Sequence, residues 1–319
     1  MSRMTLIRRA LQEMNRTTHV GVDLGSAFLK GVEISRLNGR AALHRCEVVD
    51  LAGVDAVQAL KGLGKRAGWN GARVAVGIAS PEVVVKPFRF PRMPMKELRA
   101  AVSLEAEQAI LNGHTMAEMT LDWHLLETKS KEFMQGLCAV IPKNVLSSRM
   151  QKVKAAGIRP VVVDVEALAV WNAWWTLAGE KIRQGAGSDP RKGDAELVIN
   201  VGARTTNLVI ARGGNELILM RDFQMGAQAL AQGLEKEWVT EVRDSIRYAR
   251  SKSSDWELDS VQVTGGGSGR VDLAALSEVA GVAAQVWNPL DHLKSEGKTD
   301  VSIGPMLSVA IGLALRSGE

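Results

Sequence analysis

The sequence predicts an α/β chain of two related domains, and three observations predict it. A strand–turn–strand pattern occurs twice. Val22-Asp23-Leu24-Gly25-Ser26 and Ile199-Asn200-Val201-Gly202-Ala203 both read apolar, Asp or Asn, apolar, Gly, small residue. At 319 residues the chain is long for a single compact core and suits two domains of ordinary size. Between the two copies, Gly185–Gly193 (GAGSDPRKG) is rich in turn formers and charge and reads as a linker. A strand–turn–strand unit that opens each half is a repeat, and a repeat in sequence asks for a repeat in structure.

Each element follows from local pattern. Residues 1–17 carry an apolar stripe, Met4, Ile7, Leu11 and Met14, surrounded by Arg3, Arg8, Arg9 and Arg16. This is expected to be a short amphipathic helix that packs on the body or a partner. Contact with anionic lipid is the second reading, and the small apolar area counts against it. Strands are expected at Val20–Val22 and Phe28–Ile34 around the first glycine turn, then at Val74–Ile78 and Val83–Phe88. Leu98, Val102, Ala106, Ala109 and Ile110 share one helix face. Two strands (Thr120–Leu126, Gly136–Ile141), a helix (Val145–Ala156), the run Pro160–Val165 and a helix over Glu166–Leu177 follow. After the linker come strands at Leu197–Val201 and Asn207–Ala211 and one long helix over Ala227–Arg250. A strand Ser260–Val263 leads to the triple glycine Gly265-Gly266-Gly267, and a terminal helix covers Pro305–Leu315. Trp171, Trp174 and Trp175 cluster on one helix, where packing is the expected role and a partner surface the alternative.

Composition narrows the function. With 46% hydrophobic and 24% charged residues the chain is globular. The longest apolar runs, such as Met306–Leu315, fall well short of the roughly 20 residues of a membrane span, so none is expected. No apolar signal core opens the sequence, so no export is expected either. Cys46 and Cys138, the two cysteines, lie in apolar strand-like stretches and read as buried free thiols. The net charge of +5 suits an anionic surface or acidic partner, but the arginines are scattered, and one tyrosine with five phenylalanines gives few stacking platforms. Nucleic-acid binding is therefore not expected. The five histidines and two cysteines show no metal-ligand spacing, and no P-loop, nucleophile elbow or helix-opening GxGxxG occurs.

The glycine turns carry the chemistry. A tight Gly-Ser turn exposes successive backbone N–H groups that hold phosphate oxygens, and Gly is needed where backbone and ligand approach closely. An Asp ending the preceding strand can hold a water of Mg²⁺, which keeps most of its water shell. Asp23, Gly25, Ser26, Gly202, Thr205 and Thr206 fit these roles, with Asp23 holding Mg²⁺ through water and Lys30 adding charge. Gly265, Gly266 and Gly267 would let a nucleoside lie against backbone. A single such turn usually only connects strands; two turns and a triple glycine in this order favour a polyphosphate.

The order of phosphate hairpin, insertion, connecting helix, second hairpin, triple glycine and terminal helix resembles the actin, Hsp70 and sugar-kinase superfamily. Within it the chain resembles the PilM family of type IV pilus assembly proteins over roughly residues 18–319. The segments that carry this are Gly21–Ser26 with Lys30, Phe90-Pro91-Arg92-Met93-Pro94, Val102–Gln108, Leu121–Leu126, Ala155–Pro160, Val163–Ala167, Arg221-Asp222, Gly226, Trp287-Asn288-Pro289 and Val309–Arg316. The resemblance implies an actin-like two-domain fold with duplicated cores and a small inserted α+β subdomain. Its divisions are an N-terminal helix at 1–17, a first subdomain at 18–86 and 161–184, and an insertion of the PilM and FtsA type at 87–160. A linker at 185–193, a second subdomain at 194–225 and 260–319, and a reduced fourth subdomain at 226–259 complete them.

The resemblance also implies ATP or ADP with Mg²⁺ between the domains, with Glu166 where the superfamily orients the hydrolytic water. A helix-opening glutamate serves equally as a partner of the helix dipole. Two departures weaken this site. Asn200 replaces a family Asp, and Gly226–Arg250 lacks the longer segment that bears a glutamate and lysine pair against adenine. The expected function is a cytoplasmic scaffold, non-catalytic or a very slow ATPase, peripheral at the inner-membrane face among other pilus assembly proteins. Its expected ligand is the cytoplasmic tail of an inner-membrane PilN-like protein, taken in a groove between the first domain and the insertion. The strand Val83–Phe90, with Pro87 inside and Pro91 and Pro94 after it, reads as an edge that can receive an extended peptide. Phe88, Arg89, Phe90 and Arg92 are the candidate contacts, with Lys86 as a further basic residue; the two phenylalanines serve equally well as core. An active actin-like ATPase or kinase relative, or a type II secretion or FtsA-like component, is the alternative.

Overall fold

The computed structural model describes residues 17–37, 40–69, 72–110, 114–126, 130–185, 194–212, 216–253 and 255–316. The expected N-terminal helix, apart from Thr17, which begins β1, and all of the linker after Gly185 lie outside them. In chain order the elements are β1 (Thr17–Leu24), β2 (Phe28–Leu37), β3 (Arg40–Asp50), α1 (Ala56–Ala67), β4 (Arg73–Ile78), β5 (Val84–Pro91), α2 (Met95–Ala109), β6 (Met119–Leu126), β7 (Phe133–Pro142) and α3 (Lys143–Ala155). There follow β8 (Pro160–Val165), α4 (Glu166–Gly185), β9 (Asp194–Val201), β10 (Thr206–Arg212), β11 (Glu216–Phe223), α5 (Ala227–Ala231), α6 (Glu235–Lys252), β12 (Glu257–Thr264), α7 (Leu273–Ala280), β13 (Ala284–Val286), β14 (Lys294–Ser295) and α8 (Ser308–Arg316).

The duplication seen in sequence is a duplication of sheets. One sheet has the order β14-β3-β2-β1-β4-β8 and another β11-β10-β9-β12-β13. In each, the hairpin around the glycine turn is antiparallel, and its first strand pairs in parallel with a later one, β1 with β4 and β9 with β12. A third sheet, β5-β7-β6, is the insertion.

The chain divides into two compact units, one of residues 1–77, 152–180 and 287–319, the other of 78–151 and 181–286. In the first, α1 lays Ala59, Leu60 and Leu63 on Val20, Val22, Leu29, Val74 and Val76 of the sheet. Asp55 starts this helix by accepting from the Val57 and Gln58 N–H groups, and Gly68 at φ 70 ends it. On α8, Gly312 meets α4: a Cβ there would strike the Ala169 carbonyl, and Asn172 Nδ2 donates to the Gly312 carbonyl at 3.0 Å. A Cβ on Gly21 of β1 would strike the Ala310 carbonyl. This packing corrects the expected extent of the second subdomain. Residues 287–316 join the first sheet, where β14 pairs with β3 and α8 lies on β1 and β2.

The second unit holds two cores. Trp238, Val242, Ile246 and Ala249 of α6 face Leu197, Ile199, Leu208 and Ile210 of the sheet. The expected single helix over 227–250 is two helices, because Gly233 adopts φ 83 and the chain re-enters helix at Glu235. In the insertion, Leu98, Val102 and Ala106 of α2 pack on Phe88, Met119, Cys138 and Val140. The inserted sheet falls in the same unit as the second sheet, and β11 runs beside β5. Trp171 and Trp174 are buried, and Trp174 meets Trp287 edge-on at 5.2 Å, so the cluster packs. Cys46 and Cys138 are free, and burial pushes both thiols up.

Candidate functional site

The first turn forms because β1 and β2 pair in register, Asp23 against Lys30 and Leu24 against Leu29, and reverse over residues 25–27. Asp23 is 3% exposed, and Lys30 Nζ donates to its Oδ2 at 2.7 Å. Gly25 is required here: a Cβ would stand 2.7 Å from the Phe28 carbonyl oxygen and 2.9 Å from Lys30 Nζ. Ser26 is exposed at the tip. The structure thus brings Asp23, Gly25, Ser26 and Lys30 together, with the carboxylate already neutralised by the ammonium. In the same unit Glu166 opens α4 and lies over Gly77 of β4, where a Cβ would be 2.8 Å from its Cγ.

The second turn is bound into its own sheet. The Gly202 N–H donates to the Thr205 carbonyl at 2.9 Å, and the carbonyls of Gly202 and Ala203 accept from the N–H groups of Ala227 and Gln228 at 2.8 and 3.0 Å. Gly226 makes this docking possible, since a Cβ would come within 2.5 Å of the Gly202 carbonyl oxygen. Thr206 is fully buried; its hydroxyl donates to the Met225 carbonyl at 2.6 Å and accepts from Trp238 Nε1 at 3.0 Å. That hydroxyl holds α5 and α6 to the sheet. Gly265, at φ 94, and Gly267 turn inward on β9: the Gly267 N–H donates to the Val201 carbonyl at 2.8 Å, and a Gly265 Cβ would meet Val201 and Asn200 Oδ1. Gly266 is the exposed member of the three.

Asn200 leads to residues that sequence reasoning gave no role. Its Nδ2 donates to Asn207 Oδ1 at 2.6 Å, and Asn207 Nδ2 donates to Asp222 Oδ1 at 2.8 Å. The three sit side by side across β9, β10 and β11, in the pairs Asn200 with Asn207 and Asn207 with Asp222. Ser80, between β4 and β5, lies near the same carboxylate. Burial still pushes the Asp222 carboxyl up to about 6, because its Oδ2 is shut from solvent with no partner. Local pattern does not single them out, since Glu196, Arg212 and Arg221 in the same strands are equally polar. Among the described residues no three His, Cys, Asp or Glu side chains converge to hold a metal ion.

The partner-binding candidates divide between two faces of β5. Lys86, Phe88 and Phe90 share one face, where Phe88 is 4% exposed in the core of the insertion and stacks on Phe90 at 5.7 Å. Lys86 pairs there with Glu105 of α2. Pro87, Arg89 and Pro91 face the other way and are exposed. Arg89 lies over the Phe133 ring at 4.2 Å, and Arg92 Nη2 donates to the Ser130 carbonyl at 3.2 Å. β5 pairs with β7, and β11 runs beside it without pairing among the described residues.

Residues 21–239 match the family model described as type IV pilus assembly protein PilM. The chain belongs to the PilM family. Among solved structures, the PilM-PilN type IV pilus biogenesis complex is similar at 23% identity and a TM-score of 0.75, over 94% of this chain and 98% of that one. The fold is thus the actin-like one. The ethanolamine utilization protein EutJ from Carboxydothermus hydrogenoformans aligns at 15% identity and a TM-score of 0.48, over 93% of this chain and 89% of that one. The cytoplasmic domain of EpsL, an inner-membrane component of the type II secretion system of Vibrio cholerae, aligns at 12% identity and a TM-score of 0.47, over 95% and 94% of the two chains.

Proposed function

We propose that this PilM-family chain is a cytoplasmic scaffold, peripheral at the inner-membrane face, that captures the tail of a PilN-like membrane protein on its inserted sheet. The observation that carries this reading is the outer face of β5, the end strand of its sheet, with Pro87, Arg89 and Pro91 exposed and the Phe88 core on the opposite face. An extended peptide bound along this strand would gain specificity from pockets for its side chains and affinity from the backbone groups that β5 leaves unpaired. Among the described residues no helix is long and apolar enough to cross a membrane, so attachment through a partner fits. The test is a calorimetric titration with the synthetic tail of the PilN-like partner, together with amide exchange of residues 84–91. Binding with protection of that strand is expected. A tail that binds without protecting it moves the site, and no binding ends the reading.

Nucleotide belongs to the same reading as a weakened ligand. The first turn suits phosphate, with Ser26 exposed, Gly25 close to backbone and Lys30 at hand. The second offers less, because Thr206 is spent inside the fold and Asn200 carries no charge. Mg²⁺ would come with the phosphates and keep its waters, with Asp23 accepting from one of them. ATP or ADP is therefore expected to bind weakly and turn over slowly.

A further inference from the structure

Acidic and basic residues are unevenly mixed along the chain. Residues 56–81 and 133–163 hold nine of the 40 Lys and Arg and none of the 35 Asp and Glu. The other 31 cations face 35 anions, so the whole excess of +5 comes from these two stretches. The fold brings part of each together. Leu60 and Leu63 of α1 share one core with Val153, Ala156 and Ile158 from the end of α3, and Ile158 lies against Gly64 beside Trp69. With these two helix ends side by side on the sheet, Lys61, Lys65, Lys152, Lys154 and Arg159 are exposed. Among the described residues none of the five has an ion-pair partner. The acids bordering α1 are engaged: Asp55 caps the helix, and Glu47 pairs with Arg66 at 3.1 Å. Cations in a last turn often serve the final carbonyls, but backbone N–H groups take that role here. The Gly68 N–H donates to the carbonyls of Gly64 and Lys65, and those of Ala156, Gly157 and Ile158 donate to Lys152, Lys154 and Val153. The charged side chains are left to solvent.

We propose that this face, formed by α1 and the end of α3, docks on an anionic membrane leaflet. The proposal rests on the peripheral placement argued above and deepens it, giving the chain a contact with lipid of its own besides the partner's tail. Three observations favour lipid headgroups over an acidic protein or a nucleic acid. Four of the five cations are Lys, flexible point charges without the guanidinium fork that fits one fixed carboxylate. Gly68 and Gly157, which close the two helices, stand in open space, since a Cβ on either would meet nothing within 4 Å; no wall of a peptide groove rises there. Trp69, the aromatic residue of the first stretch, is buried, so no base can stack on it. Headgroups diffuse laterally and accommodate scattered ammonium groups, and each cation near an anionic leaflet adds to the attraction. Val161, 51% exposed two residues beyond Arg159, offers little apolar area. The contact is therefore electrostatic, and salt weakens it.

The experiment sediments the full chain with vesicles of phosphatidylglycerol and phosphatidylcholine, or of phosphatidylcholine alone. No tail peptide is present, so this proposal and the tail reading fail separately. Binding to the anionic vesicles alone is expected, falling as salt rises. Lys61→Glu with Lys154→Glu should weaken it well over tenfold at low salt, by the usual contribution of a cation at an anionic leaflet. Lys236→Glu with Lys252→Glu makes the same change of net charge on exposed lysines of α6 and should weaken it less than about threefold. Thermal unfolding checks that both variants fold. If the first does not, Lys61→Gln with Lys154→Gln replaces it, with a loss of about tenfold. Equal losses in the two pairs would make net charge, not this face, the cause and overturn the proposal. Undiminished binding in the Lys61 and Lys154 pair would place the contact elsewhere and also overturn it. So would a wild type that ignores anionic vesicles; if that protein binds polyglutamate instead, the partner is an acidic protein.

Discussion

Lys30 Nζ lies 2.7 Å from Asp23 Oδ2 across the β1–β2 ladder, with side chains 14% and 4% exposed. The ammonium that sequence suggested for phosphate is therefore the partner of the carboxylate that sequence suggested for Mg²⁺. Both roles remain compatible only if ligand oxygens and metal waters share the pair. A polyphosphate approaching Ser26 would compete with Asp23 for Lys30, which lowers the affinity such a turn can reach.

Removing one member of this pair strands the other. Lys30→Met leaves a buried carboxylate without its cation and should cost about 3 kcal/mol of stability by denaturant unfolding, whereas the double change Lys30→Met with Asp23→Leu should cost less. Equal losses in the single and double variants would show that packing, not charge, sets the cost.

Asp23 also carries the metal expectation. Calorimetry with ADP, with and without Mg²⁺, should show that Asp23→Ala loses the Mg²⁺-dependent part of the affinity. A variant that keeps this part removes Asp23 from the site.

ATP turnover should sit far below the median enzyme rate of about 10 per second. The second turn lacks a carboxylate at Asn200, and the Thr206 hydroxyl is committed to Met225 and Trp238. Phosphate release in the ordinary enzyme range would overturn the scaffold reading.

Asp222 makes stability depend on pH in a defined direction. Its carboxyl titrates near 6 in the folded chain against an ordinary value of 3.8, so the native state holds the proton more tightly. The stabilisation this gives is present in full below the ordinary value and is lost as pH rises through about 6. Asp222→Asn has no such proton. Its stability relative to wild type should rise between pH 4 and pH 7, by at most about 3 kcal/mol. Parallel stability curves would mean that the carboxylate is solvated.

The repeat was legible because two short motifs preserve it, and the sheets repeat it as β3-β2-β1-β4 and β11-β10-β9-β12. Phe88 and Phe90 were ambiguous because alternation in a strand does not say which face is covered. Register supplies the answer: Phe88 stands opposite Gly136 of β7, where a Cβ would strike the Phe88 ring. The terminal helix was visible but not its place, since Gly21 and Gly312 reveal close approach only once Ala310 and Ala169 are set against them. The Asn200 row was hidden for a similar reason. Residues 200, 207 and 222 become neighbours only through strand pairing, which no local pattern announces.

The last prediction concerns the tail. Arg89 and Arg92 are exposed beside β5 on its β7 side, one over the Phe133 ring and the other on the Ser130 carbonyl. Both lie on the solvent side of the inserted sheet, so their charge should steer an approaching tail without being needed for the core. Reversing both, Arg89→Glu with Arg92→Glu, should slow association by about tenfold at low salt and leave dissociation nearly unchanged, because exposed charges act mainly on encounter. The wild-type rate should fall toward the variant's as salt rises and screening shortens the reach of the field. Unfolding midpoints should differ little, since Phe88 and its core are on the other face. Surface-immobilised tail peptide and a salt series measure all three. Equal association rates at low salt would place the tail away from this face of β5, and a large change confined to dissociation would make the arginines direct contacts rather than a steering field.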